Sequence, residues 1–407
     1  MNASDDNVPP PQGPLVGVRV LELGVILAGP YVARQLGDFG AEVIKVEAPG
    51  HGDTLRDWGA HRADGRALWW PFQSRNKKLI TLDLRQPRGQ EIARELAACC
   101  DVLVENFKPG TLERWGLAPD VLHDRNPGLI VCRVSGYGQT GPLAHRPGYA
   151  SAGEAAGGIR YLNGFPDQPP PRMGLSMGDT LAALYATQGV LLALYERAAN
   201  GGRGQVVDVG ITDACIAVTE SVITEYAKLG VVREPQGVAL RHVVPSNLYE
   251  SRDGRRIVIA ANSDSLWRRL AVAMGRPDLG DRFPDDASRR AAVDDLDAVI
   301  GAWAASHEYR DLAAALDAAD VVFAPVNSAR DLVDEPHFRS RDAIIEMHDP
   351  ELGELLGPGI VPKLSATPGS ARFTGSWTLG AHNDEIYGSL LGLSEAERAQ
   401  LQADGVI

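Results

Sequence analysis

A chain of 407 residues is long enough for about two or three domains. Its 44% hydrophobic and 23% charged residues are those of an ordinary folded protein. With 40 basic against 53 acidic side chains and a net charge of −13, generic binding to nucleic acid or an anionic membrane is disfavoured, although a local basic pocket is compatible with that balance.

The first residues, MNASDDNVPPPQGP, are polar and proline-rich. They lack the basic n-region and apolar h-region of a signal peptide. No uninterrupted apolar run approaches the length of a membrane span. A disordered lead-in and a cytoplasmic protein with no membrane or nucleic-acid partner are therefore expected. Cys99, Cys100, Cys132 and Cys215 form no C-x-x-C pair, and no histidine cluster has metal-ligand spacing. Buried free thiols, with neither zinc nor redox function, are the expectation.

In chain order, VRVLEL (18–23) reads as a short buried strand and EVIKVE (42–47) as a second, with GVILAGPYVARQLGDFGA between them as a loop and one short helix. A strand–helix–strand unit implies a parallel sheet. LITLDL (79–84), DVLVEN (101–106) and LIVCRVSG (129–136) continue the rhythm, and PRGQEIARELAAC reads as an amphipathic helix. The first part, 1–225, thus reads as an α/β layered domain. After a connecting segment at 226–245 the texture changes. RRIVIAA is one strand, followed by the helical stretches SLWRRLAVAMG, AAVDDLDAVIGAWAAS and YRDLAAALDAA. These make a smaller domain, 246–325. A second connector, 326–336, leads into 330–407, a tail of short strands and turns that completes the large domain. No internal repeat is present.

Several patterns invite chemistry. A unit ending in Glu47 resembles a dinucleotide site, where such an acid binds a ribose hydroxyl. Its first turn, however, is Gly24-x-x-x-x-Gly29-Pro30 and lacks G-x-G-x-x-G, so a nicotinamide cofactor is not expected. GGRGQ (201–205) reads as a helix-terminating turn. Arg75, Lys77, Lys78 and Arg85 concentrate positive charge around one strand, either as a solvated edge or as a pocket for a phosphate-bearing anion. GLSMG (174–178) matches G-x-S-x-G at Ser176, but no clear strand precedes it, as a nucleophile elbow requires. Asp179 stands at the mouth of a long apolar stretch with no basic residue before Arg197. It reads either as a helix N-cap or as an acid presented at a positive helix end.

VLELGVILAGPYVARQLGDFGAEVIKVEAPGHGD, RNKKLITLDL, DVLVENFKPGTLERWG, GYGQTGP, RPGY and MGDTLAALYA together resemble the family III CoA-transferases. Formyl-CoA transferase belongs to that family, and the α-methylacyl-CoA racemases are its relatives. The likeness runs in consistent order from about Leu15 to the C-terminus. It implies a Rossmann-like large α/β domain built from both chain ends, a smaller α+β domain, and an interlocked homodimer of ring-shaped subunits. It also implies that Asp179 is a nucleophile that attacks an acyl-CoA thioester. An aspartyl anhydride and then an aspartyl-CoA thioester would carry CoA to an acceptor acid, with CoA a co-substrate and no permanently bound cofactor or metal. Gly178 would leave room for the acyl group. By motif position, Leu27 and Ala28 would line the pantetheine, Leu82, Asp83, Leu84 and Arg85 the adenine side, and Asn106, Phe107 and Arg114 the rest of the CoA pocket. Tyr149 would lie near the reacting end.

The departures narrow the expectation. Ala150 follows Tyr149 where many relatives have aspartate, and RPGYASAGE lacks the His-Asp pair with which racemase relatives move an α-proton. Transfer is therefore favoured over racemisation, which needs two opposed acid/base groups. The glycine-rich flap of formyl-CoA transferase is absent, so formate and oxalate are not the expected substrates. The PSN-x-Y stretch resembles that of relatives acting on dicarboxylates such as succinate, malate, citramalate or mesaconate, with Arg241 and His242 candidates for a distal carboxylate. The alternatives are a 2-methylacyl-CoA racemase and a non-catalytic CoA-binding protein.

Overall fold

Six short segments build the main sheet, and those in its interior alternate their side chains between two apolar cores. A computed structural model describes residues 9–407; the lead-in read from the first residues falls largely outside them. The strands are β1 (Arg19–Glu22), β2 (Glu42–Glu47), β3 (Lys77–Thr81), β4 (Val102–Glu105), β5 (Ile130–Ser135) and β6 (Val206–Gly210). They lie in the order β3-β2-β1-β4-β5-β6, and every neighbouring pair is parallel. This is the doubly wound order, in which the direction of winding reverses between β1 and β4.

Register explains the apolar runs. Leu21 lies opposite Ile44 and Leu103. With Val131 these residues face one core, closed by Ile92 and Leu96 of helix α2 (Pro87–Ala98) and by Tyr387, Leu401 and Val406 from the C-terminal end. Their neighbours Val20, Val43, Val102 and Ile130 face the opposite core. That side is covered by α1 (Ala28–Asp38), α4 (Met177–Ala199) and α5 (Ile211–Ala217), the short α3 (Ala150–Ala156) packing on α4 and α5. A parallel sheet covered on both faces needs strands that are apolar at every position.

Two compact units result. The first runs to Ile159, resumes over Met173–Ser221 and closes with His337–Ile407. The second comprises Arg160–Arg172 and Val222–Pro336. Its antiparallel sheet has β7 (Ser246–Glu250) and β9 (Val322–Pro325) on either side of β8 (Arg256–Ala260). Its helices bury Trp267, Leu270, Ile300 and Leu312 against Ile257 and Ile259.

Two expectations are corrected here. The helix α4 is, by length and composition, apolar enough to cross a membrane, although Ala182, Ala183, Ala186 and Val190 bury one side of it in the sheet's core. Among the cysteines, Cys100, Cys132 and Cys215 are buried and free, but Cys99 is exposed.

Candidate active site

The N-terminus of α4 gathers the acidic groups. Ser176 is the N-cap and makes no side-chain cap bond. No strand lies in 163–176, so Ser176 lacks the strand–turn–helix setting of a hydrolase nucleophile. Asp179 is the third helical residue and is not the cap, which corrects the capping reading. It is also only 8% exposed. The backbone N–H of Ala150 donates to its carboxylate.

Beside it stands a residue that sequence reasoning missed. Glu154 of α3 is 2% exposed, and its Oε1 accepts the Gly178 N–H at 3.0 Å. Burial first and Glu154 second push Asp179 up from 3.8 to about 6, against the pull of the Ala150 N–H. Burial, and after it the same two carboxylates, raise the Cys215 thiol to about 11. Gly178 has a different role from the one expected. A Cβ there would lie 3.0 Å from the Ala150 carbonyl oxygen and 3.0 Å from Ile211 Cγ2. Its missing side chain thus lets α3 and α5 close on α4; that space is not open to a ligand.

A second cluster lies where the sheet reverses, the usual ligand crevice of such folds. After β4, Asn106 grips the loop after β1 from both sides. Its Oδ1 accepts the Val25 N–H at 2.8 Å, and its Nδ2 donates to the Val25 carbonyl at 2.9 Å. Ile26 is held at φ 66°, which is strained for a β-branched residue. Its N–H donates to both Asp53 oxygens, at 3.1 and 3.2 Å. Asp53 belongs to a buried chain of charges: Asp53–Lys45, Lys45–Glu22 and Glu22–Lys77, each 2.8 Å. Lys77 also donates to the Pro30 carbonyl at 2.7 Å. Burial lowers Lys77 to about 8. Burial is the largest influence on Asp53 and works against its charge, but Lys45 and the Leu55 and Ile26 N–H groups together outweigh it and hold the carboxyl below its usual range. The sequence signal for this network was a charge inside otherwise apolar strands, Glu22 in VLEL and Lys45 in VIKV.

The structure brings Leu27, Ala28, Asn106 and Phe107 to this crevice: Leu27 and Ala28 open α1, 4% exposed each. Phe107 stacks edge-on against Trp115 at 5.1 Å. Leu82 and Leu84 are buried in the core cluster that Phe107 and Trp115 pack against. Arg114 is exposed, its guanidinium bonded to Thr111. Tyr149, 73% exposed, is the N-cap of α3, one residue before the Ala150 that binds Asp179. Arg85 is exposed and already paired with Asp83 at 2.9 Å.

For Arg75, Lys77 and Lys78 neither reading of the basic stretch holds. Arg75 is buried against Asp38 at 2.6 Å, Lys77 against Glu22, and Lys78 pairs with Glu42 and Glu385. These cations neutralise carboxylates distant in sequence and form no common anion pocket. Glu47 is likewise consumed, accepting from Arg56 at 2.7 Å and from the Asp53 N–H at 2.8 Å. In the second unit, Arg241 is exposed and pairs with Asp294 at 3.3 Å, and His242 is exposed.

The comparisons with known proteins agree with this architecture. The sequence pattern of CoA-transferase family III matches residues 15–383. The chain is 50% identical to a succinyl-CoA–D-citramalate CoA-transferase of Chloroflexus aurantiacus, over 98% of this chain and 99% of that one. It is 39% identical to the beta subunit of a succinyl-CoA–L-malate CoA-transferase of the same organism, over 97% and 98%. A crystal structure of a CAIB/BAIF family protein from Brucella suis superposes with a TM-score of 0.82 at 32% identity, covering 93% of this chain and all of that one. The chain belongs to CoA-transferase family III, whose CoA thioesters are co-substrates.

Proposed function

We propose that this enzyme moves CoA from succinyl-CoA to a dicarboxylic acid, D-citramalate first among the acceptors to try, by covalent catalysis on Asp179. The names of the relatives support donor and acceptor class. The observation that carries the mechanism is the setting of Asp179: a carboxylate in the first turn of a long helix, largely buried and facing a second carboxylate. Such a group is a stronger nucleophile than a solvated aspartate and is still ionised at neutral pH.

In the reaction, an Asp179 oxygen bonds to the acyl carbonyl carbon, the C–S bond breaks, and CoA leaves as thiolate. The thiolate attacks the aspartyl carbonyl, releasing succinate and forming an aspartyl-CoA thioester. The acceptor carboxylate attacks that carbonyl and expels the thiolate. The thiolate then takes the new acyl group and frees Asp179. One thioester replaces another, so the exchange is close to isoenergetic and calls for no metal or redox group. Backbone N–H groups near Ala150 and at the start of α4 would stabilise the oxyanions. Leu27, Ala28, Asn106, Phe107 and Arg114 would bind CoA along the crevice at the sheet's reversal, with Leu82, Asp83, Leu84 and Arg85 at its adenine side and Tyr149 near the reacting carbonyl.

The exposed apolar face of α4, with Leu191, Leu192 and Tyr195, supports a second copy of the chain as its cover in an interlocked homodimer of the cytoplasm. Incubating the enzyme with succinyl-CoA and a panel of acids, and identifying new thioesters by mass spectrometry, tests the reading. Citramalyl-CoA or malyl-CoA is expected. Thioesters of monocarboxylates alone would refute the acceptor class, and turnover by an Asp179→Ala enzyme would refute the nucleophile.

A further inference from the structure

Glu154 makes and breaks no bond in the transfer, yet its surroundings are unusual. It sits on α3 in a run of small residues, ASAGEAAGG. The close approach of α3 to its neighbours is what buries it. A Cβ on Gly153 would come within 2.4 Å of Ile211 Cγ2, and one on Gly157 within 2.4 Å of Cys215 Cβ. The carboxylate is thereby pressed against the first turn of α4, where it takes the Gly178 N–H immediately before Asp179.

Among the described residues no cation acts on Asp179. From α3 the charged group acting on Asp179 is Glu154, and the group on α5 that feels both carboxylates is the Cys215 thiol. Asp213 of α5 acts on Asp208 of β6, and the buried Cys132 thiol of β5 feels Glu105 and Asp208. Arg34 and Tyr31 of α1 interact with each other and Arg34 with Asp38. Arg133 of β5 pairs with Glu105 and Glu113, and Asp208 of β6 accepts the Gln139 N–H.

We propose that Glu154 is a positioning residue for the acyl transfer, holding the first turn of α4 through the Gly178 N–H and, by its charge, favouring acylated Asp179 over the free carboxylate. This rests on the reading of Asp179 as nucleophile. The physical reason is a change in charge. While Asp179 is a free carboxylate, two like charges face each other in a poorly solvated place. When its oxygen bonds to the acyl carbon and the thiolate departs, the negative charge leaves with sulfur and the aspartyl group becomes neutral. The repulsion then disappears, and so the covalent states gain relative to the free enzyme. The later exchange of the anhydride for the aspartyl thioester, which releases succinate, keeps the side chain neutral. The raised titration of Asp179, to about 6, is the equilibrium counterpart of the same repulsion added to burial.

The test uses the full-length enzyme with succinyl-CoA alone, quenched with hydroxylamine over a range of pH, and the fraction modified at position 179 read by peptide mass. In Glu154→Gln the amide oxygen still accepts the Gly178 N–H but the charge is gone. The expected result is a several-fold smaller captured fraction near neutral pH and a pH midpoint for capture lowered by about one unit, which corresponds to about a tenfold change in relative affinity for the proton. A merely structural role would not move that midpoint. Capture of Glu154→Gln with unchanged fraction and midpoint overturns the role of Glu154 and leaves the nucleophile intact. Absence of any adduct at 179 in the unaltered enzyme overturns the nucleophile itself, and this inference with it. Should Glu154→Gln not fold, Glu154→Met, uncharged and of similar length, is read in the same way: a midpoint below that of the unaltered enzyme supports the proposal, and an equal midpoint overturns it.

Discussion

Replacing Asp179 by asparagine is expected to abolish turnover and, near neutral pH, to make the fold more stable. Asparagine keeps the shape and the acceptor for the Ala150 N–H but removes a charge that burial and Glu154 both oppose. The folded-state value of Asp179, about 6, lies above its ordinary 3.8, so the proton stabilises the native state. That contribution is complete below the unfolded value and is lost as pH rises through the folded one. Two units at 1.36 kcal/mol each give about 3 kcal/mol of native-state destabilisation once Asp179 is ionised. Thermal unfolding of both proteins across pH 4 to 8 is the assay. Asp179→Asn should melt several degrees higher at the alkaline end, and the gap should close toward the acid end. A variant no more stable than the parent at pH 7, or a gap indifferent to pH, would refute the argument.

Gly178→Ala should lower turnover and cost about 1–3 kcal/mol, because its methyl must displace the Ala150 carbonyl or Ile211; denaturant melts and kcat read both effects. Asp53→Asn removes the anion that holds Ile26 and leaves Lys45 short of a partner, a loss of about 3–5 kcal/mol in denaturant unfolding by comparison with other broken buried pairs. Arg114→Ala should raise KM for the CoA thioester about tenfold with little change in kcat, the loss expected of a charge-assisted phosphate contact. Arg85→Ala should change KM less, since Asp83 already engages that guanidinium; equal effects from the two would contradict the assignment.

The first five strands of the main sheet were legible because burial on both faces leaves uninterrupted apolar runs such as VRVLEL and LIVCRV, though β3 begins two residues earlier than its run suggests; the half-exposed edge strand β6 leaves no such run. In the second unit, β7 and β9 were missed. SNLYE and VFAP are short, and their pairing with β8 is antiparallel and tertiary. The helical segments Asp384–Leu390 and Glu395–Ala403 were missed within the tail. At the site, the position of Asp179 was readable from its motif, but its environment was not. Nothing in ASAGEAAGG tells that close helix packing will bury Glu154 against it. The basic stretch misled for the same reason, since Asp38, Glu22, Glu42 and Glu385 are brought to it by the fold.

The most direct measurement of the central claim is the fate of oxygen in an acceptor dicarboxylate labelled with oxygen-18. If Asp179 forms an anhydride with the acceptor, one labelled oxygen stays on its side chain when the new thioester departs. The next turnover then passes that label into succinate. Labelled succinate, with labelled Asp179 in the recovered peptide, is the predicted result. Succinate free of label through many turnovers, with unlabelled Asp179, would contradict it.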